Sequence, residues 1–311
     1  MPKYRAVIII GLPNSTTIRF RREPIIATEE SDATRFKSAQ RRQWDAAAAG
    51  WSKWWETIEK GAQHVSDRLL ELAEVQPGHH VLDVATGIGE PCLTAARRVG
   101  ATGKVTGTDQ SQQMLAIARE RAKDLGLTNV ELREMDAETL DLPEQSFDAV
   151  LCRWGLMFLP NLAKALSGIH RVLSPSGRFA ATVWGDPQAV PMLSLPMGVV
   201  RRMVDVPAPP TGAPGPFSLA DVATLEQALT QAGFTDVSSE RLNVSFEYPS
   251  GEAYKSLTQD VAAPIAAMLA DKPDALREQV WQAIASAAGQ YAAADGTIRM
   301  DNQAICVSGR R

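Results

Sequence analysis

The stretch HVLDVATGIGEP, residues 80–91, decides how the whole chain is read. Residues 80–85 are a short apolar run with β-branched valines and read as a buried strand. Gly87 and Gly89 follow where that strand turns into a helix over residues 90–99. Glycines at such a turn let the backbone approach a bound nucleotide closely. Pro91 suits the first helical turn, where its missing N–H costs nothing. A dinucleotide-binding dehydrogenase wants the pattern G-x-G-x-x-G, and Cys92 stands where the third glycine belongs, so a nicotinamide oxidoreductase is disfavoured. Asp83 lies inside the strand, upstream of the glycines, where a carboxylate can meet a cationic group. Asp109 closes the next strand, about twenty residues past the loop, where an acid accepts hydrogen bonds from ribose hydroxyls.

Outward from this turn, strands and helices alternate. Further strands read at 104–108, 130–133, 147–152 and 179–183, with helices at 111–125 and 161–173 between them. That rhythm implies a parallel sheet covered by helices on both faces. Upstream, Trp44, Ala47, Ala48, Trp51, Trp55 and Ile58 recur at three- and four-residue steps and share one helix face. Gly50 interrupts this run, which leaves two short helices open as an alternative. A further helix over 62–74 is closed by the turn signal Gln76-Pro77-Gly78. Downstream, eight prolines fall within 185–216 and are expected to forbid a continuous helix there. Ser218 with Asp221 starts a helix over 219–232 that ends at Gly233. Residues 236–248 alternate as a strand, 251–294 are alanine-rich and helical, and 297–308 read as a last strand returning to the sheet. Residues 1–35 hold one strand-like piece amid basic and polar residues and read as a mobile or loosely attached extension.

Five segments together resemble a known family. They are VLDVATGIG (81–89), GTD (107–109), DAE (136–138), LPEQSFDAV (142–150) and VLSPSGRF (172–179). In this order they are similar to the motifs of class I S-adenosylmethionine-dependent methyltransferases, most of all the group of ubiquinone/menaquinone-biosynthesis C-methyltransferases. The resemblance is clear over 75–185 and thins beyond. Ala85 stands where many members have their first glycine, and Ser176 replaces a common glycine before the fifth strand.

The resemblance implies an α/β fold: a Rossmann-like doubly wound sheet, mostly parallel with an antiparallel last strand, plus helical lid segments. It implies S-adenosylmethionine as cofactor and S-adenosylhomocysteine as product. Asp83, Ala85, Thr86, Gly87 and Gly89 would line the methionine end. Asp109 would hold the ribose with Gln110 beside it, and Met114 would pack near the adenine. Asp136 would face the adenine amino group, flanked by Ala137 and Glu138. Cys152 and Arg153 would border the sulfonium and the acceptor. Trp51 has two readings: core packing, or a lid whose aromatic face attracts the sulfonium cation. The same lip of the sheet would then be capped by residues 36–75. The cofactor-binding core would be 76–250 with 295–311, and 185–216 with 251–294 would be lid or acceptor-binding insertions.

Composition narrows the partners. A net charge of -4 supplies no field to draw nucleic acid. No run of eighteen apolar residues offers stable membrane insertion, and the chain is expected to be cytoplasmic. Cys92, Cys152 and Cys306 lack metal-ligand spacing, so no metal is expected. A homodimer stays open. Met192, Leu193, Leu195, Met197, Met203, Ile265, Met268, Leu269 and Trp281 in the insertions suggest a small, largely apolar acceptor, quinone-like or polyketide-like. None of His64, His79, His80 and His170 is assigned as a base, because methyl transfer needs one only if the acceptor must lose a proton. A non-catalytic cofactor-binding subunit would carry the same turn and stays open as the alternative.

Overall fold

The computed structural model describes residues 4–9, 19–24, 32–206, 210 and 212–311, with side chains from residue 33 onward. The chain divides into two compact units, Met1–Ser38 and Ala39–Arg311. In the first, strands β1 (Tyr4–Ile9) and β2 (Arg19–Pro24) pair antiparallel, Tyr4 opposite Pro24 and Ile9 opposite Arg19. The remainder of the extension expected over 1–35, up to the start of helix α1 (Asp32–Leu72), lies outside the described residues.

The second unit is built on a seven-stranded sheet. Its strands are β3 (His80–Val84), β4 (Lys104–Asp109), β5 (Val130–Glu134), β6 (Phe147–Arg153), β7 (Leu173–Trp184), β8 (Thr235–Tyr248) and β9 (Ile298–Arg310). Their order is β5-β4-β3-β6-β7-β9-β8. β3 to β7 pair parallel, and β9 runs antiparallel to both its neighbours. This is the Rossmann-like arrangement with an antiparallel last strand. The chain winds outward from β3 to β5 and then crosses back to β6, so the crevice beyond the carboxyl end of β3 is the topological switch point where such sheets bind ligands.

Alternate residues of the central strands serve two apolar layers. Val81, Ala149, Leu151 and Ala180 pack with Leu69, Leu70 and Ala73 of α1 and with helix α2 (Cys92–Val99). Leu82, Val84, Val150, Phe179 and Ala181 pack on the other face with helices α4 (Leu162–Val172) and α6 (Val222–Gln231). The remaining helices are α3 (Gln112–Asp124), whose N-cap Ser111 hydroxyl accepts from Met114 N at 3.1 Å, α5 (Pro191–Met203), α7 (Gly251–Val261), α8 (Ala263–Leu269) and α9 (Asp274–Ala288).

Three expectations are corrected. Residues 36–60 and 62–74 are one helix, not two, and Gly50 is no break. A Cβ at Gly50 would lie 2.1 Å from the carbonyl oxygen of Asp260, so the glycine is a contact point where α1 meets the end of α7. The proline-rich segment does hold a helix, α5, with Pro196 inside it. Proline removes the N–H that would bond the carbonyl four residues back. That carbonyl belongs to Met192, and it accepts instead from the Tyr254 hydroxyl at 2.8 Å. The first turn of α5 is held by Asn302 Oδ1, which accepts from Met192 N at 2.9 Å. Finally, α6 starts at Val222 rather than 219. Asp221 alone caps it, accepting from Ala223 N at 3.0 Å, while the Ser218 hydroxyl donates to Met157 O at 2.7 Å.

Candidate functional site

After Val84 the backbone leaves the sheet through Ala85 and Gly87, at φ 58 and 55, both in the left-handed region. Thr86 N donates to Thr108 O at 2.9 Å, which stitches the turn to the end of β4. Gly87 N donates to Asp109 Oδ2 at 2.9 Å, and Ser111 N donates to Asp109 Oδ1 at 2.8 Å. Each oxygen keeps a second lone pair for a further donor. No atom lies within 4 Å of where a Cβ on Gly87 would stand, so the turn borders open space there.

Asp83 is completely buried. Its Oδ2 accepts from Cys92 N at 3.0 Å, which fixes the start of α2. Its Oδ1 has no hydrogen-bond partner among the described residues. Burial pushes this carboxyl up to about 7, against the pull of the Thr86 hydroxyl, the nearby Arg153 guanidinium and the Cys92 N–H. An orphaned carboxylate oxygen under a glycine turn fits a cationic ligand group, because a buried acceptor without a donor is costly.

Around this centre the other expected residues gather from neighbouring strand ends. Met135 N donates to Asp109 O at 2.9 Å, which brings the segment after β5 beside β4. Asp136 there accepts from Glu138 N at 2.9 Å, and Glu138 Oε1 accepts from Asn161 N at 2.7 Å. Gln110 donates to Gln40 Oε1 at 3.0 Å, and Gln40 donates to Phe158 O at 3.1 Å, so α1 is tied across the site to the loop after β6. Ser111 Oγ donates to Asp45 Oδ1 at 2.6 Å from the same helix. Met114 and Ile88 pack with Ala48 and are flanked by Trp44 and Trp51. Trp44 stands edge-on to Trp51, ring centroids 6.4 Å apart. The α1 tryptophans thus cover the glycine turn itself.

Two further expected residues stand at the end of β6. Cys152 is completely buried in the large apolar cluster, and burial pushes its thiol up to about 12. Arg153, half-buried, gives both terminal nitrogens to Glu59 of α1, at 2.5 and 2.9 Å, and one of them to Ser66 Oγ at 2.9 Å. Beside them Glu90 accepts from the Thr94 hydroxyl at 2.7 Å and faces Arg121 at 3.4 Å. Sequence reasoning missed Glu59, Glu90 and Trp154. Trp154 follows β6 at φ 57 and stacks on Trp184 at 4.5 Å, with its indole N–H buried and unpartnered among the described residues. Only the Glu-Pro after the glycines, residues 90 and 91, carried a hint, a charge at an otherwise apolar helix start.

Similarities to known proteins agree with this fold. Residues 76–194 match a family described as a methyltransferase domain. A demethylmenaquinone methyltransferase from Listeria welshimeri is 38% identical over 118 residues, which cover 38% of this chain and 50% of the relative. An aklanonic acid methyltransferase from a Streptomyces species is 39% identical over 115 residues, 37% of this chain and 52% of the relative. The chain therefore spans about half the length of the curated relatives it matches. Among solved structures, a phosphoethanolamine N-methyltransferase from Haemonchus contortus, in complex with S-adenosyl-L-methionine, superposes with a TM-score of 0.58 at 19% identity. That superposition covers 94% of this chain and 63% of the other and shows a shared fold. The sequence match and the sheet order point the same way: residues 76–194 resemble a methyltransferase domain and are carried on a Rossmann-like sheet.

Proposed function

We propose that this chain is an S-adenosylmethionine-dependent methyltransferase that acts on a small, largely apolar acceptor, quinone-like or polyketide-like. The observation that carries the cofactor is the turn between β3 and α2, with Asp109 pinned to Gly87 N and Asp83 Oδ1 left without a donor beneath it. When bound, S-adenosylmethionine supplies an electrophilic methyl group on a positive sulfur. Asp83 would take its ammonium, Asp109 the ribose hydroxyls, and Asp136 with Met114 the adenine side of the crevice. Trp51, held against Ile88 and Met114, excludes water and offers an aromatic face to a cation.

The chain's own contribution to the transfer is orientation, an effect worth up to roughly 7–11 kcal/mol when two reactants are held in line. No histidine is placed as a base. His64 shares a hydrogen with Asn243 O at 2.9 Å on β8, and His170 stands edge-on to Phe234. The acceptor side is supported by α5 and the α7–α9 group. Met192, Leu193, Leu195 and Met197 are half-buried against the large apolar cluster that contains Ile265, Leu269 and Trp281. The curated relatives named for menaquinone and aklanonic acid methylation bear on the same ring-like chemistry.

The test is transfer of labelled methyl from S-adenosylmethionine to a panel of hydroquinones, polyketide acids, amines and oligonucleotides. Labelling of the first two classes is expected. Labelling confined to amines or nucleic acid would overturn the acceptor assignment. Tight cofactor binding with no transfer to any class would make the chain a binding subunit.

A further inference from the structure

The acids around the cofactor turn outnumber the cations. Glu59, Glu90 and Asp83, all buried, face the half-buried Arg153 and Arg121. Within this group the pairing is uneven. Arg153 commits both terminal nitrogens to Glu59 and has Ser66 Oγ as a third partner. Asp83 pairs with Leu151 of β6, two residues before Arg153 and on the same strand face, and is left with one oxygen bare. A buried guanidinium normally takes a buried carboxylate in a two-pronged grip. Here that grip is directed at the helix α1, which comes from far along the chain, and away from the strand that carries the bare oxygen.

We infer that Glu59 is a positioning residue: by sequestering Arg153 it keeps the Asp83 oxygen open for the cationic amino-acid end of the cofactor. This rests on the cofactor reading above. Glu59 touches no reacting atom. Without its carboxylate, Arg153 would turn to Asp83 and occupy the place of the incoming ammonium. The arrangement also explains why an ion pair of this cost is buried beside a ligand crevice, where an apolar pair would pack as well.

The experiment measures S-adenosylhomocysteine binding by calorimetry on the full chain, because this product analogue carries the ammonium without reacting. Three proteins are compared: wild type, Glu59→Gln, and the double variant Glu59→Gln with Arg153→Met. Glu59→Gln is expected to weaken binding at least tenfold. Its affinity should also lose the rise through neutral pH that an open Asp83 confers, with Glu90, Arg121 and Arg153 as the other charges facing that carboxyl. The double variant removes the competing cation along with its partner and is expected to return affinity to within about threefold of wild type. A double variant as weak as the single one, with native circular dichroism, means that the pair only anchors α1 and overturns the inference. An unaffected Glu59→Gln also overturns it. Should Glu59→Gln not fold, Glu59→Asp keeps the charge, shortens its reach and must move affinity in the same direction. Wild type that binds no S-adenosylhomocysteine would instead defeat the cofactor reading itself.

Discussion

Asp83 sets the pH behaviour expected of the residue scale. Burial holds its carboxyl near 7 in the folded chain, against about 4 for an exposed aspartate. Between those values the folded state keeps a proton that the unfolded state has lost. The stabilising contribution is therefore full below about pH 4 and is lost as the pH climbs to about 7. Melting curves should show this: Asp83→Asn is expected to lose less stability than wild type between pH 5 and 8. A cation delivered to Asp83 reverses the preference and expels the proton. Calorimetry at pH 6.5 in buffers of different ionisation heat should detect release of part of a proton as S-adenosylmethionine binds. In Asp83→Asn that release should vanish, and affinity should fall about 10- to 100-fold with the charge-assisted bond. An unchanged proton count in the variant would place the titrating group elsewhere.

At the scale of elements, α1 carries most of the consequence. It crosses the sheet face, contacts β8 through Arg68–Glu240 and Lys60–Glu247, and sets its tryptophans over the glycine turn. Glycine to alanine inside a helix ordinarily stabilises by about 1 kcal/mol. Gly50→Ala should do the reverse, because the new Cβ would collide with the Asp260 carbonyl. Overpacking of that kind costs about 1–3 kcal/mol, readable as a lowered urea midpoint. Trp51→Ala separates lid from core. Its indole N–H is unpartnered among the described residues and the ring is only half-buried, so S-adenosylhomocysteine affinity should suffer more than melting temperature. Unchanged affinity with a lowered melting temperature would reduce Trp51 to packing. These elements also mark where sequence reading ends. Strands such as 80–84 and 147–153 were legible, because a strand buried on both faces reads as a near-continuous apolar run, here broken by His80, Asp83, Asp148 and Arg153. The glycine turn, Asp83 and Asp109 were legible because they adjoin in sequence the strand ends that position them. The single helix through Gly50, the helix through Pro196 and the diversion of Arg153 were not. Each depends on a partner far along the chain: Asp260, Tyr254 and Glu59 respectively.

For the whole molecule, the crevice couples ligand and fold. A ligand at 100 times its dissociation constant that binds only the folded state stabilises it by about 2.7 kcal/mol. For a chain of this size that corresponds to a rise of roughly 5 °C in melting temperature. Thermal-shift titration with S-adenosylhomocysteine should show it, and NAD should not. No helix among the described residues is long and apolar enough to cross a membrane. One last consequence lies in the sheet order. β9 sits between β7 and β8, yet it follows both in the chain, and β8 pairs with β9 alone. On the ribosome, β8 emerges well before the partner that will hold it, leaving two unsatisfied backbone edges waiting. A nascent chain stalled before residue 298 should therefore be a chaperone client, and emergence of the thirteen residues of β9 should end that dependence.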